Sequence, residues 1–313
     1  MTKILTIGEI LVEIVATEKG DGFRQPVPLI GPFPSGAPAI FIDQVGRLGH
    51  ECAIISAVGN DDFGQVNLTR LRADRVDVTG IHIDMDRPTG SAFVRYRPDG
   101  SRAFVFNIRH SACGTIAVSP QGQHLIDTAA HLHVMGSSLI APSVVDITLT
   151  AMRSIKARGG SVSFDPNLRA EILDSPGMRD ALSAVLAETD IFLPSGEELF
   201  LFAEADTIED AVEELLQRGI KAVVLKQGEK GASYFHGNGR VTEEGMSVEE
   251  VDPTGAGDCF GAAFVTLFLE GATPSHALRY ANAAGALAVT KTGPMEGAAT
   301  RAEIETFLAS RSR

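Results

Sequence analysis

Short apolar runs punctuate the chain, and between them lie longer segments whose apolar residues recur every three or four positions. Lys3–Ile7, Ala53–Val58, Leu132–Met135, Ser161–Phe164, Ile191–Leu193, Ala222–Leu225 and Ala232–Phe235 are of the first kind and predict core strands. Helical spacing fits a segment ending near Gly49, another after Gly64, and Val144–Arg158, Arg179–Glu188, Ile208–Arg218, His276–Thr290 and Arg301–Ser310. From Leu132 onward the two kinds alternate, which predicts the α/β class: a mostly parallel sheet with helices on both faces. Residues Glu9–Thr17 and Thr89–Ile108 have a different, two-residue period. In the latter, Ser91–Arg97 and Arg102–Asn107 flank Pro98-Asp99-Gly100-Ser101, a hairpin signal. These pieces, about 9–17 and 89–110, are expected to form a small β lid on one α/β domain spanning 1–313. An ordinary edge hairpin is the alternative. A lid could exclude water from a bound ligand, or pair with a second copy as a homodimer.

Composition narrows the function classes. The chain has 313 residues, 44% apolar and 21% charged, values that suit a folded protein with a large core. A net charge of −13 argues against a general nucleic-acid or anionic-membrane binder. It does not exclude an anionic ligand held by a local nest of backbone N–H groups. Cys52, Cys113 and Cys259 are odd in number and widely spaced, with no zinc spacing, so free thiols in a reducing cytoplasm are expected. No apolar run reaches the length of a spanning helix, and Glu9 interrupts any secretory core. His131 and His133 alternate on a strand without further ligands and read as structural. Asp61 and Asp62, between Gly59 and Gly64, read as a loop with a helix cap rather than a cation site.

The richest chemistry lies in Val251–Phe260. Asp252 and Asp258 flank a Gly255-Ala256-Gly257 turn, and the apolar run Cys259–Leu269 that follows has the length of a buried helix. The glycines allow the backbone to approach a ligand, and N–H groups at a helix N-terminus favour an anion. Asp258 in the same turn then suits a base that takes a proton from an attacking hydroxyl, which predicts phosphoryl transfer. The plainer alternative is a tight strand–helix connection capped by Asp258. Other candidates follow predicted strands in order: Asp165-Pro166-Asn167-Leu168-Arg169, then Ser195 and Glu198, then Lys226-Gln227-Gly228. Ligands of parallel sheets gather at such strand ends. No Gly-x-Gly-x-x-Gly follows the first strand, which argues against a nicotinamide dehydrogenase.

Together these segments resemble the ribokinase-like (PfkB) carbohydrate kinases over nearly the whole chain. The family's C-terminal signature stands as Asp252-Pro253-Thr254-Gly255-Ala256-Gly257-Asp258, and its sugar signature as Ser35-Gly36-Ala37-Pro38-Ala39. Val58–Gly64 and Asp165–Arg169 match as well. The resemblance implies a Rossmann-like domain with a β lid that transfers the γ-phosphate of ATP, bound with Mg²⁺, to a sugar hydroxyl. It makes Asp258 the base and the N–H groups of Gly255, Ala256 and Gly257 the anion hole. It implies sugar contacts from Glu13, Gly36, Ala37, Asn167 and Arg169, and nucleotide contacts from Lys226, Gly228, Gly231 and Asn282. Glu198 would act indirectly on Mg²⁺. Asp252 and Thr254 resemble the site of a monovalent cation, K⁺, in several members.

The departures bear on substrate. Ser195 replaces the Asn of the family's Asn-x-x-Glu motif, Glu13 stands where most members have Asp, and Ile40 where most have Asn. Members acting on 2-keto-3-deoxygluconate carry Tyr-Tyr-Arg before Ser-Ala. Here Phe106–His110 precede Ser111-Ala112, without tyrosines and with the arginine shifted. Asn107–Ala112 and Gly293–Gly297 look more like tagatose-kinase-type members, so a neutral ketohexose is expected. A 2-keto-3-deoxygluconate kinase and a weakly catalytic sugar or nucleotide sensor are the alternatives.

Overall fold

The protein is described by a computed structural model covering residues 3–20, 22–99, 101–168, 176–237 and 239–311. In chain order the strands are β1 (Ile4–Ile7), β2 (Leu11–Ala16), β3 (Leu29–Ser35), β4 (Cys52–Gly59), β5 (Asp77–Asp84), β6 (Gly90–Tyr96) and β7 (Arg102–Asn107). They continue with β8 (His131–Met135), β9 (Ser161–Asp165), β10 (Ile191–Phe192), β11 (Ala222–Lys226), β12 (Ala232–His236) and β13 (Gly239–Glu243). The described α-helices are α1 (Ala37–Arg47), α2 (Asp62–Ala73), α3 (Pro120–Thr128), α4 (Pro142–Ala157) and α5 (Met178–Ala187). They are followed by α6 (Ile208–Gln217), α7 (Ala256–Leu269), α8 (Pro274–Ala288) and α9 (Arg301–Ser310).

A nine-stranded sheet runs in the order β13-β12-β11-β10-β9-β8-β1-β4-β5. It is parallel from β11 to β5, and β12 and β13 add antiparallel at one edge. Successive strand residues face opposite layers: Ile4 and Ile54 join the core that includes Phe41 and Phe264, whereas Leu5 and Ile55 join the one that includes Phe164 and Phe192. The chain moves outward from β1 to β4 and β5, then returns to β8 on the other side of β1. Strand order therefore reverses at β1 and β8, which sets a crevice at their C-terminal ends. A second, four-stranded sheet, β3-β2-β6-β7, holds the predicted hairpin. Its predicted turn residue Gly100 lies outside the described residues.

Four elements escaped the hydrophobic pattern. β3 carries Pro32 and Pro34, tolerable because it is an edge strand. β5 and β13 are polar and largely exposed, and α3 is a short helix started by the Ser119 cap and Pro120. Other local readings agree with the structure. Asp61 caps α2 through Gly64 N at 2.8 Å and also accepts from Thr89. His131 is bonded through both ring nitrogens to Ser161 and Ser163, and His133 stacks on Phe41 at 3.7 Å between centroids. Burial pushes both imidazoles down, His131 to about 3, so they are neutral structural groups. The three cysteines are buried and free, and no helix among the described residues is long and apolar enough to cross a membrane.

One buried ion pair ties the helical layer to the C-terminal turn. Asp43 on α1 is fully buried and accepts two bonds from Arg70 on α2, at 3.1 and 2.9 Å. Arg70 also donates to Met295 O at 2.8 Å. Burial pushes the Asp43 carboxyl up to about 8 against the pull of the guanidinium. Above about pH 8, where the carboxyl is ionised, Arg70→Met is expected to lower unfolding free energy by about 3–5 kcal/mol, because it strands a buried charge. Losing the guanidinium raises the folded carboxyl further, so the variant takes up its proton first and this deficit should shrink as pH falls towards about 8, below which both folded proteins hold the proton. Denaturant unfolding at several pH values measures both effects.

Candidate active site

The C-terminal ends of β1, β8, β9, β10 and β11 open onto one cavity of about 620 Å³, with the small sheet forming its other wall. Asp258 lies in it, in the first turn of α7. The helix cap is Gly255, with φ 84°, not Asp258. A side chain at Gly255 would place Cβ 2.4 Å from Pro294 O, so the turn requires glycine on both counts. Intrahelical bonding begins with Cys259 N to Gly255 O at 2.9 Å, whereas Ala256 N lies a long 3.5 Å from Pro253 O. The preceding N–H groups are the donors that a helix start leaves to a ligand. Asn167, itself at φ 41°, donates to Asp258 Oδ1 at 3.3 Å. Arg169, predicted beside it, lies outside the described residues.

The acceptor side of the cavity is built from β1, β2 and α1. Glu13, on β2, is buried and accepts from Ser35 Oγ at 2.9 Å. Gly36 caps α1 at φ 110°, where a Cβ would meet Glu9 O at 2.5 Å, and Ala37 opens that helix. Ile40 follows on the same wall. Sequence reasoning did not assign Glu9 a place here. It is buried and held by the hydroxyls of Ser137, at 3.1 Å, and Ser138, at 2.5 Å. Its position one residue beyond the first strand's terminal glycine was the available signal.

On the far side stand Asp165, Glu198 and Lys226. The Lys226 ammonium pairs directly with Asp165, and both are nearly buried. Lys226 Nζ lies 3.7 Å from the place where a Cβ on Gly257 would sit, which puts a cation beside the glycine turn. Glu198 accepts from Ser195 N and Leu168 N, each at 2.7 Å, and so clasps two strand-end loops. Burial, with the nearby Asp165 charge, holds its carboxyl above the usual range.

A second cleft of about 760 Å³ abuts the first, and Ser195, Lys226, Pro253 and Gly257 line both. Gly228, Gly231, Asn282 and Ala256 line this second cleft. Gly228 and Gly231 have φ of 59° and 95°. Asn282 donates to Glu243 O at 3.2 Å and Glu244 O at 3.0 Å, which fixes the rim after β13. Met246, Phe260, Ala286 and Val289 give the cleft an apolar wall.

Asp252 and Thr254 precede the glycine turn. The Asp252 carboxylate accepts from Thr254 N at 3.0 Å, Gly293 N at 3.0 Å and Tyr96 Oη at 3.1 Å. Thr254 Oγ1 accepts from Arg102 Nη1 at 2.8 Å. Both side-chain donors, Tyr96 and Arg102, come from the hairpin of the small sheet, contacts that no sequence pattern announced. Among the described residues no group of three or more His, Cys, Asp or Glu could hold a metal ion.

This geometry accords with what the chain is similar to. Residues 1–301 match the model of the pfkB family carbohydrate kinases. The chain is 33% identical to "Probable fructokinase-3" of Arabidopsis thaliana, with 97% of this chain and 91% of that protein covered. A crystal structure of a provisionally named ribokinase II from E. coli, in complex with ATP and Mg²⁺, shares 51% identity at TM-score 0.94. It covers 99% of this chain and 100% of its own. A double mutant of fructokinase from Vibrio cholerae O395, with fructose, ADP and potassium ion bound, shares 28% identity at TM-score 0.84, covering 98% of each chain. With its glycine turn, strand-end carboxylates and two joined clefts in place, the chain belongs to the pfkB family of carbohydrate kinases.

Proposed function

We propose that this chain transfers the γ-phosphate of ATP to a hydroxyl of a neutral ketohexose of the fructose or tagatose kind. The observation that carries the reading is the meeting of the two clefts at Gly257 and Lys226, with Asp258 on the acceptor side. The second cleft fits a nucleotide: its apolar wall suits a flat base, and the phosphates would reach the glycine turn at the junction. The E. coli relative described with ATP and Mg²⁺, and the Vibrio relative described with fructose, support the pairing.

Bound there, ATP with Mg²⁺ supplies the transferable phosphoryl group. Asp258 takes the proton of the acceptor hydroxyl as its oxygen bonds to the γ-phosphorus and the bond from that phosphorus to the β–γ bridging oxygen breaks, with ADP as the leaving group; Asn167 orients the carboxylate. The N–H groups of Gly255, Ala256 and Gly257 receive the charge that develops on the phosphoryl oxygens. Lys226, kept in place by Asp165, adds a cation at the same point. Glu198, its carboxylate held by two backbone N–H groups, would help place Mg²⁺ indirectly. Glu13 and the Gly36–Ala37 start of α1 hold sugar hydroxyls, together with Asn167 and Arg169. Asp252 and Thr254 are the side chains nearest to a K⁺ site. Since they already take protein donors, a cation there would lean on backbone carbonyls.

One observation favours a second reading. Arg109 lines the acceptor cavity despite its shifted register, and a guanidinium there suits a sugar carboxylate such as that of 2-keto-3-deoxygluconate. A panel of ketoses, aldoses and keto-deoxy acids, assayed for ADP release with Mg²⁺, separates the two. The ketohexose reading expects the highest kcat/KM for fructose or tagatose, and a clear preference for the keto-acid overturns it. Asp258→Asn should lower kcat by about 10²–10⁴-fold while ATP binding persists. Tight sugar binding without any phosphorylated product in the parent protein would instead mark a sensor. Lys226→Met should lower kcat by about 10²-fold, with a smaller change in the sugar's KM, in steady-state assays.

A further inference from the structure

The hairpin of the small sheet does more than wall the acceptor cavity. Tyr96 on β6 and Arg102 on β7 are register partners, so their side chains project from one face. Both reach the loop that precedes the glycine turn: Tyr96 Oη donates to Asp252, and Arg102 Nη1 to Thr254 Oγ1 at 2.8 Å. Thr254 adjoins Gly255, whose left-handed backbone starts α7 and sets the direction of its N–H groups. Asp252 is almost fully buried and also accepts from the backbone N–H groups of Thr254 and Gly293. The hairpin thus supplies the side-chain donors of this polar cluster. Arg102 also lines the acceptor cavity, as do Phe106, Ile108 and Arg109 further along the same strand and its continuation.

We propose that Tyr96 and Arg102 are positioning residues that latch the small sheet to residues 252–254 and so set the anion-binding turn for transfer. This rests on the kinase reading above for its kinetic consequence, though not for the latch itself. A sugar in the cavity would rest against the strand whose Arg102 already holds Thr254, so acceptor and turn share one support. The acceptor's arrival is then linked to the geometry that receives the phosphoryl charge. Loss of the latch should fall on kcat, because the turn acts in the transition state, and spare sugar affinity.

The test pairs a structural readout with a kinetic one. In the full-length protein without ligands, amide hydrogen exchange of the peptide covering residues 252–260 should quicken in Tyr96→Phe and in Arg102→Ala relative to the parent. Exchange in the β8–β9 peptides should not change. Unchanged exchange at 252–260 overturns the latch, whether or not the protein phosphorylates a sugar. For the ketose that the parent turns over best, each variant should lose about tenfold in kcat with less than about threefold change in KM, and Arg102→Lys should recover part of the loss. In a double-mutant cycle, Arg102→Ala and Thr254→Val should be non-additive in kcat, because the arginine acts through that hydroxyl. Additive losses, or a loss confined to KM, would mean that Arg102 serves the sugar directly and would overturn the proposal. A parent that releases no ADP with any sugar defeats the kinase reading, and the exchange result then decides the latch alone.

Discussion

The first turn of α7 leaves backbone N–H groups without intrahelical acceptors, and the fold holds that turn where two clefts meet. Its direction is set by Gly255 in the left-handed region and by the close approach of Pro294 O. The rest of α7, from Asp258 to Thr266 without a gap, is buried. A helix start ordinarily settles its donors with a side-chain cap or water. Here the cap is a glycine, so the donors stay directed at the junction, and their anchor is a core helix that cannot swing without exposing apolar surface. Precision at the reaction centre is therefore a consequence of packing far behind it.

The same site resolves a conflict of charge. A chain with a net charge of −13 repels anions on average, and five carboxylates face the cavity: Glu198, held by two backbone N–H groups, and Glu9, Glu13, Asp165 and Asp258. Each is committed locally: Glu9 and Glu13 to serine hydroxyls, Asp165 to the Lys226 ammonium, Asp258 to the Asn167 amide. Hydrogen bonds and a fixed cation spread this negative charge over short distances, where low dielectric strengthens each contact. The helix start and Lys226 then present the positive face at the single place where phosphoryl charge would grow. Lys226 is held there by the Asp165 carboxylate, which is buried with it.

What was legible in the sequence was local. The Asp252–Asp258 turn, the Asp61 cap and the hairpin each depend on neighbours in the chain, and the alternating strands and helices announced the parallel sheet. Contacts between distant segments were not legible. The pairing of Lys226 with Asp165 spans 61 residues, and that of Arg102 with Thr254 spans 152. Nothing in residue type foretells which loop a hairpin arginine will meet. β3 was lost because its prolines oppose strand formation except at an edge, and its edge position is a property of the tertiary fold. Arg109 shows the converse: a register shift suggested that it had left the cavity, yet the chain after β7 brings it back to the wall.

Selectivity follows from how polar and apolar walls are divided. Ile40, Leu11 and Ile108 line the acceptor cavity, so part of it offers no hydrogen bond to a hydroxyl. The donors and acceptors concentrate at Glu13, Gly36 and Asn167 on one side and at Arg109 on the other. On the proposed reading, a sugar would place its reacting hydroxyl at Asp258 and its remaining hydroxyls on the polar arcs, with a less hydroxylated edge against Ile40. An Asn at position 40 would have gripped a hydroxyl there; isoleucine instead penalises burying one unpaired. The cavity discriminates by leaving the wrong hydroxyl without a partner as much as by binding the right one.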